Sequence, residues 1–327
     1  MISVLMPVKN ASDYLEECLL SVLSQTFENW ELIAVDDHST DNSAEILHKY
    51  AELDNRIKPV QNKETGIISA LSTAYSLSIG NSISRMDADD IMLPHKLETL
   101  FSALEEQPES VVTSYVEYFS EHSLGSGYRK YEQWLNALVD QRNHYDHIYK
   151  ECVLPSPNWL MKRSILDKIG GFDSLTYPED YDLAFRLYAN SIPLIGINEV
   201  LHKWRDYPER TSRNDPNYQD NAFIPLKVHH FLDIDYNNDN LLVLWGAGKK
   251  GKAISRLLAE HNTPYKWVTN NPRKAGLQID DVTLEPDEIA GLAQNAQVII
   301  AVAGPEDQIA IKNRLERRPD LDVYWFC

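Results

Sequence analysis

Five carboxylates fall in two short clusters, Asp36-Asp37 and Asp87-Ala88-Asp89-Asp90. Each closes a strand-like run: Glu31-Leu32-Ile33-Ala34-Val35 before the first, Ser82-Ile83-Ser84-Arg85-Met86 before the second. Where strands and helices alternate, the carboxyl ends of the strands gather at one sheet edge, and ligands bind there. Five carboxylates crowded at such an edge repel one another unless a cation or a donor-rich ligand lies between them. A divalent metal ion carrying a nucleoside diphosphate meets both needs. Either cluster taken alone also reads as a solvated acidic turn.

The elements that would position these clusters follow from periodicity. Residues 2–6 read as a buried strand, and Ser12 can cap a helix carrying Leu15, Leu19, Val22 and Leu23 on one face. Strands are expected over 32–35, 56–60 and 82–86, with helices over 43–53 and 67–77 between them. This βαβαβαβ rhythm implies a parallel sheet with right-handed crossovers. Residues 94–105 look helical and 111–119 extended. The stretch 125–149, rich in Tyr, His, Asn and Gln, reads either as an acceptor-binding insertion or as a surface excursion. Residues 160–169 lead into the turn Gly170-Gly171-Phe172-Asp173, and 179–189 again have helical spacing. The polar run DIDYNNDN, 233–240, is taken as a linker between a domain over 1–232 and a second over 241–327. There the rhythm restarts, with strands at 241–245, 265–269, 298–302 and 322–326 and helices at 249–261, 286–293 and 306–317.

A chain of 327 residues has room for two such cores. Hydrophobic content of 43% and charged content of 24% are ordinary for a globular protein. A net charge of −18 argues against nucleic acid or an anionic membrane as the main partner. Cys18, Cys152 and Cys327 lack metal-ligand spacing and read as free thiols of a reducing compartment. The apolar run at the N-terminus is too short for a signal and has no basic leader. No run approaches the length of a membrane span. The expectation is a soluble, cytoplasmic protein, with peripheral membrane association and homo-oligomerisation both open.

The order and spacing of several motifs resemble family-2 glycosyltransferases over roughly 200 residues. They are Val4-Leu5-Met6-Pro7-Val8-Lys9-Asn10, Tyr14-Leu15, the 21–27 stretch, Val35-Asp36-Asp37-His38-Ser39-Thr40-Asp41 and Asn62-Lys63-Glu64-Thr65-Gly66. Arg85-Met86-Asp87-Ala88-Asp89-Asp90, Gly170-Gly171-Phe172-Asp173, Pro178-Glu179-Asp180-Tyr181-Asp182-Leu183 and Arg186-Leu187 continue the match. The resemblance implies a GT-A domain, an α/β fold with a mixed, mostly parallel sheet, and an inverting, metal-dependent transfer from a UDP-sugar. The acceptor it suggests is a glycan or lipid-linked glycan of bacterial-type surface polysaccharide synthesis. It puts Pro7, Val8, Asn10, Asp36, Lys63, Arg85, Asp87, Asp89, Arg205 and Arg210 on the nucleotide-sugar. Within that set Asp36 would accept the uracil N–H, Pro7 and Val8 would wall the pocket, and Asp37 would hold the turn.

Asp87-Ala88-Asp89 resembles the DxD motif, with Asp89 as ligand of Mn²⁺ or Mg²⁺ and Asp87 on the ribose or the metal; Asp90 would cap the next turn. Glu179-Asp180 resembles the family's ED motif, with Asp180 as base and Glu179 near the acceptor. An inverting displacement needs a base to take the acceptor's proton, although carboxylates in a first helical turn also suit the helix dipole. Residues 202–212 resemble the segment that closes the fold over the diphosphate, where guanidinium groups of Arg205 and Arg210 suit phosphate oxygens. Family members often carry a metal-ligating His where Tyr207 stands, so this chain lacks an evident third ligand. His202 is out of register for that role and is expected to be structural.

Leu241-Leu242-Val243-Leu244-Trp245-Gly246-Ala247-Gly248-Lys249-Lys250-Gly251 carries G-x-G-x-x-G after a strand and before a helix, the context of a dinucleotide loop. The next strand ends in Thr269-Asn270-Asn271 with no acid for a ribose. The region resembles Rossmann-like domains appended to some bacterial family-2 glycosyltransferases. Gly246, Gly248 and Gly251 are thus a candidate phosphate loop or part of a docking or oligomerisation module. Two other functions compete with transfer: a nucleotide-sugar-binding regulator without activity, and an NAD(P)-dependent oxidoreductase. The paired acids 179–180 argue against the first and the missing ribose acid against the second.

Overall fold

A computed structural model of the chain describes residues 1–121, 124–214, 222–288 and 294–327. Its contacts divide it into two compact units, 1–145 with 152–213, and 146–151 with 214–327.

The first unit runs β1 (Ile2–Val8), α1 (Ser12–Leu23), β2 (Trp30–Asp36), α2 (Ser43–Leu53), β3 (Ile57–Gln61), α3 (Ile67–Leu77) and β4 (Ser82–Arg85). It continues with β5 (Ile91–Met92), α4 (Lys96–Glu106), β6 (Val111–Phe119), α5 (Ser126–Gln141), β7 (Trp159–Lys162), α6 (Arg163–Lys168), α7 (Glu179–Ala189) and β8 (Leu194–Arg205). One eight-stranded mixed sheet has the order β3-β2-β1-β4-β7-β6-β8-β5. The first four in that order pair parallel, as the rhythm predicts. β7 pairs antiparallel with both β4 and β6 and turns the sheet from parallel to mixed.

Every residue of β2 and nearly all of β1 are buried, as expected for strands covered on both faces. Ile2, Val4 and Met6 share one cluster with Leu15, Leu19 and Val22 of α1, the face read from the sequence. The consequence for function is positional. β1, β2 and β4 run side by side, so Val8 lies opposite Asp36 and Arg85 opposite Leu5. Both acidic clusters therefore leave the same sheet edge.

The stretch 125–149 contains a regular helix. α5 buries Leu135, Leu138 and Val139 at i, i+3, i+4 spacing, and Val139 packs so closely on Gly196 of β8 that a Cβ there would lie 2.5 Å from it. Tyr, Asn and Gln on its outer turns masked that narrow apolar stripe.

The second unit holds α9 (Ile224–Ile234), β9 (Leu242–Trp245), α10 (Lys249–Glu260), β10 (Lys266–Thr269), the hairpin β11 (Gln278–Ile279) and β12 (Val282–Thr283), β13 (Glu285–Pro286), β14 (Gln297–Ile300), α11 (Pro305–Leu315) and β15 (Asp322–Trp325). Where the second segment of the first unit ends, the chain forms the short helix α8 (Thr211–Asn214). The second sheet is all parallel, ordered β13-β10-β9-β14-β15. Counted along the chain that order is 3-2-1-4-5, the doubly wound arrangement with its switch point beside β9.

Two expectations need revision here. The run 233–240 takes in the last turn of α9 and the connection to β9, inside the second unit, where Phe231 of α9 packs on Tyr324 at 4.9 Å. Residue 286, expected to begin a helix over 286–293, instead pairs with β10 together with 285; 289–293 of that expected helix lie outside the described residues.

The glycine loop of the second unit is built tightly. Gly246 has φ of +121°, and a Cβ on Gly251 would stand 1.9 Å from the Gly246 carbonyl oxygen. Gly251→Ala is accordingly expected to destabilise this unit by about 3 kcal/mol, read as a lower urea midpoint for its unfolding.

Candidate active site

The two acids that end β2 have different surroundings. The Asp36 carboxylate is buried and, among the described residues, accepts only long bonds, 3.3 and 3.4 Å, from the Ser39 N–H. Lone pairs remain for a ligand. Asp37 is saturated: Oδ1 accepts from Asn62 Nδ2 at 2.8 Å and from the Gly66 N–H at 2.9 Å, and Oδ2 accepts from Lys9 Nζ at 3.1 Å. It ties the loop after β1 to the turn at Gly66, whose φ of +103° suits glycine.

Burial pushes the Asp37 carboxyl up, but the bonds from Asn62, Lys9 and Gly66 outweigh it and hold the group below its ordinary value. A depressed folded-state pKa contributes stability above the unfolded value, about 3.9, and loses it as pH falls through the lower folded value. Asp37→Asn should therefore melt below the wild type at neutral pH and converge on it in strong acid, in a series of Tm against pH.

Around Asp36, Val8 is buried and Pro7 half-buried at the end of β1. Asn10 sits in the left-handed region, φ 50°, and its Oδ1 accepts the Thr40 N–H at 2.8 Å. Its side chain thus shapes the 38–41 turn beside the pocket. Lys63 is exposed.

In the second cluster the three aspartates separate again. Asp90 is fully buried; Oδ1 accepts the Arg205 N–H at 2.8 Å and Oδ2 lies 3.0 Å from His202 Nε2. Asp87 and Asp89 are half-buried. Asp87 Oδ1 accepts from Arg85 Nε at 2.9 Å, and Asp89 Oδ2 accepts the Tyr207 hydroxyl at 3.0 Å. Burial, with the neighbouring Asp90 charge, pushes Asp89 up to about 7. A carboxylate so placed gains from a cation.

Arg85 joins this cluster to the third acidic pair. Its other arm, Nη1, donates to Glu179 Oε1 at 2.8 Å. Glu179 is buried, and its Oε2 has no hydrogen-bond partner among the described residues. Burial raises Glu179 to about 7 against the pull of Arg85. Asp180 opens α7 next to it: Oδ1 accepts the Tyr181 N–H at 2.8 Å and Oδ2 accepts the Ser156 hydroxyl at 2.9 Å. Asp182 instead pairs with Arg186, whose Nη1 holds the carbonyls of Ile169 and Gly171 in the turn before α7.

The segment 202–212 departs from expectation at Arg205, the last residue of β8. Its Nε donates to the Asp89 carbonyl at 2.7 Å, its Nη2 bonds Glu17, and the guanidinium lies between the rings of Tyr14 and Phe119 at 4.7 and 4.5 Å. It braces the Asp89 loop from within the fold and has little surface to offer a phosphate. Arg210 lies over Trp204 at 5.1 Å, in the field of Asp89 and Asp90. His202 is wholly buried, in keeping with a structural role. Sequence reading missed Ser156 and Lys96. Neither carries a signal in its own neighbourhood, because each meets its partner through the fold.

Hard carboxylate oxygens at Asp87 and Asp89, two residues apart on one loop, suit Mg²⁺ or Mn²⁺. Asp90 is committed elsewhere. Among the described residues no group of three or more His, Cys, Asp or Glu side chains forms a metal cage. The donor set fits a cation shared with phosphate oxygens and water.

In the second unit, a Cβ on Gly248 would meet open space, and Lys274 Nζ donates to the Ala247 carbonyl of the same loop at 3.0 Å. Asn270, at the end of β10, bonds Asp307.

A model of the family described as glycosyl transferase family 2 matches residues 3–170. The chain belongs to that family. An uncharacterised glycosyltransferase of Haemophilus influenzae is 27% identical over 279 residues, covering 80% of this chain and 85% of its own. The Escherichia coli UDP-Glc:alpha-D-GlcNAc-diphosphoundecaprenol beta-1,3-glucosyltransferase WfgD is 27% identical over 207 residues, 63% of this chain and 77% of its own. Among solved structures, S. aureus TarS 1-349 in complex with UDP-GlcNAc superposes with a TM-score of 0.57 at 16% identity, covering 80% of this chain and 72% of that one. The glycosyltransferase thus has the GT-A fold in its first unit. No described helix of this family-2 enzyme is long and apolar enough to cross a membrane.

Proposed function

We propose that this glycosyltransferase moves a sugar from a UDP-sugar to a glycan or lipid-linked glycan, with inversion and with a divalent metal ion. The observation that carries the reading is Arg85, whose two arms hold Asp87 at 2.9 Å and Glu179 at 2.8 Å. One buried guanidinium thereby brings a diphosphate-side acid and an acceptor-side acid to one place. A protein that only bound nucleotide-sugar would have no need of the second.

In this reading the open lone pairs of Asp36 accept the uracil N–H, between Pro7 and Val8, while Asp37 keeps the flanking loops closed. Asp89, with Asp87, would hold the Mn²⁺ or Mg²⁺, which when bound neutralises charge on the departing diphosphate. Arg210 is the better placed of the two arginines to face the diphosphate. Asp180 accepts the acceptor hydroxyl proton as that oxygen attacks the anomeric carbon. The bond from that carbon to the diphosphate breaks, and its electron pair leaves with UDP. Ser156 and the Tyr181 N–H hold the base. The acceptor class draws support from the name of WfgD, and the UDP donor from WfgD and from TarS.

A thermal-shift panel tests donor and metal together. UDP, UDP-glucose and UDP-GlcNAc are each added with Mn²⁺ or with EDTA. Ligand at a hundred times its Kd stabilises by about 2.7 kcal/mol, so Tm should rise with UDP compounds plus Mn²⁺ and rise less in EDTA. A panel in which no UDP compound raises Tm counts against the reading.

A further inference from the structure

Lys96 is fully buried, although lysine is almost never so placed without a partner. Its ammonium donates to the Pro157 carbonyl at 2.7 Å and lies 3.0 Å from Nδ1 of His202. When Lys96 is charged it has no lone pair, so Nδ1 accepts and the ring proton sits on Nε2. That N–H then donates to Asp90 Oδ2 at 3.0 Å. The imidazole is held between the Lys96 amine and the Asp90 carboxyl group, all three side chains fully buried.

Each end of this line reaches the reaction centre. Asp90 is the residue after Asp89, and its other oxygen takes the Arg205 N–H, while the Arg205 side chain holds the Asp89 carbonyl. Pro157 follows Ser156, whose hydroxyl donates to Asp180. The turn between is itself fixed. Thr113 donates to the Asn158 carbonyl at 2.6 Å, and Asn158 Nδ2 donates to the Ser114 carbonyl at 2.8 Å.

We infer that Lys96 and His202 are positioning residues: with Ser156 they form a buried polar line that keeps the Asp89 loop and the Asp180 base in register. Neither Lys96 nor His202 touches substrate in this scheme. The inference rests on the transferase reading above for the roles of Asp89 and Asp180. The uracil pocket, built on Asp36 and Asp37, has its own hydrogen bonds and lies outside the line.

The test is UDP release from UDP-glucose or UDP-GlcNAc with Mn²⁺, per folded molecule. Lys96→Met should lower kcat on the order of 10²-fold, the scale of an ångström of misplacement, with the donor KM within about threefold. Ser156→Ala should also lower kcat. The double variant should be no slower than the slower single, because both break one line. His202→Gln, which keeps an acceptor toward Lys96 and a donor toward Asp90, should retain most activity. Unchanged kcat in Lys96→Met, or effects of Lys96→Met and Ser156→Ala that multiply in the double variant, would overturn the inference.

Should Lys96→Met fail to fold, the wild-type protein still decides the matter through ring ¹⁵N spectra. The His202 signal, identified by its loss in His202→Gln, should show the neutral Nε2–H form. An Nδ1–H or doubly protonated ring overturns the line. Wild-type protein that releases no UDP counts against the transferase reading, and the ring spectrum then judges the line alone.

Discussion

Asp180→Asn is expected to lower sugar transfer by about 10³-fold, within the range for loss of a general base. The asparagine amide keeps the size of the carboxylate and an oxygen for the Ser156 hydroxyl or the Tyr181 N–H. It cannot take a proton. Asp36 and Asp89 are untouched, so UDP with Mn²⁺ should stabilise the variant as much as the wild type. UDP release and thermal shift measured on the same sample separate the two effects. Transfer that survives at more than a tenth of the wild-type rate removes Asp180 from the role. An equal loss of binding would make it a structural residue.

The second large effect is expected on stability. Arg85 is buried between Asp87 and Glu179, and its own pKa is raised far above the ordinary range by those charges, against the opposing effect of burial. Removing one partner of a buried ion pair costs about 3–5 kcal/mol, because the other group is left buried without its counter-charge. Arg85→Met leaves Glu179 buried without its cation, to be held only by taking up a proton. Urea unfolding should show a loss of about that size, accompanied by loss of UDP release. Arg85→Lys restores a point charge without the fork that reaches both acids, so it should recover part of the stability and little activity. Arg85→Met with wild-type stability would show that the two acids do not depend on the bridge.

The sheet edge that carries these acids is legible in the sequence. The apolar runs before Asp36 and Asp87 are strands buried on both faces, whose sequence signal is strong, and parallel neighbours necessarily deliver their carboxyl ends to one edge. The helix under Leu15, Leu19 and Val22 was legible for the same reason.

β8 was not. Gly196, Asn198 and Glu199 interrupt its alternation, and its register against β6 shifts at Ser114 and Tyr115. Arg205 was expected to meet phosphate because its charge suits phosphate; its partners Glu17 and Asp89 lie more than a hundred residues away along the chain. Lys96 and Ser156 show the limit most plainly. A lysine near a helix start and a serine between prolines carry no local mark of burial or of a carboxylate partner, and only the folded sheet supplies both.

The Tyr207 hydroxyl on Asp89 gives the departure from the family's His a physical content. A phenol there offers a hydrogen bond to the carboxylate where an imidazole would offer a lone pair to a cation.

The most direct measurement is UDP release from a panel of UDP-sugars, in Mn²⁺ and in EDTA, by the wild-type chain and by Asp180→Asn. The account predicts release by the wild type with at least one donor in Mn²⁺, its loss in EDTA, and its loss in Asp180→Asn under either condition. Undiminished release in EDTA, or no release from any UDP-sugar in Mn²⁺, would contradict a metal-dependent UDP-sugar transferase.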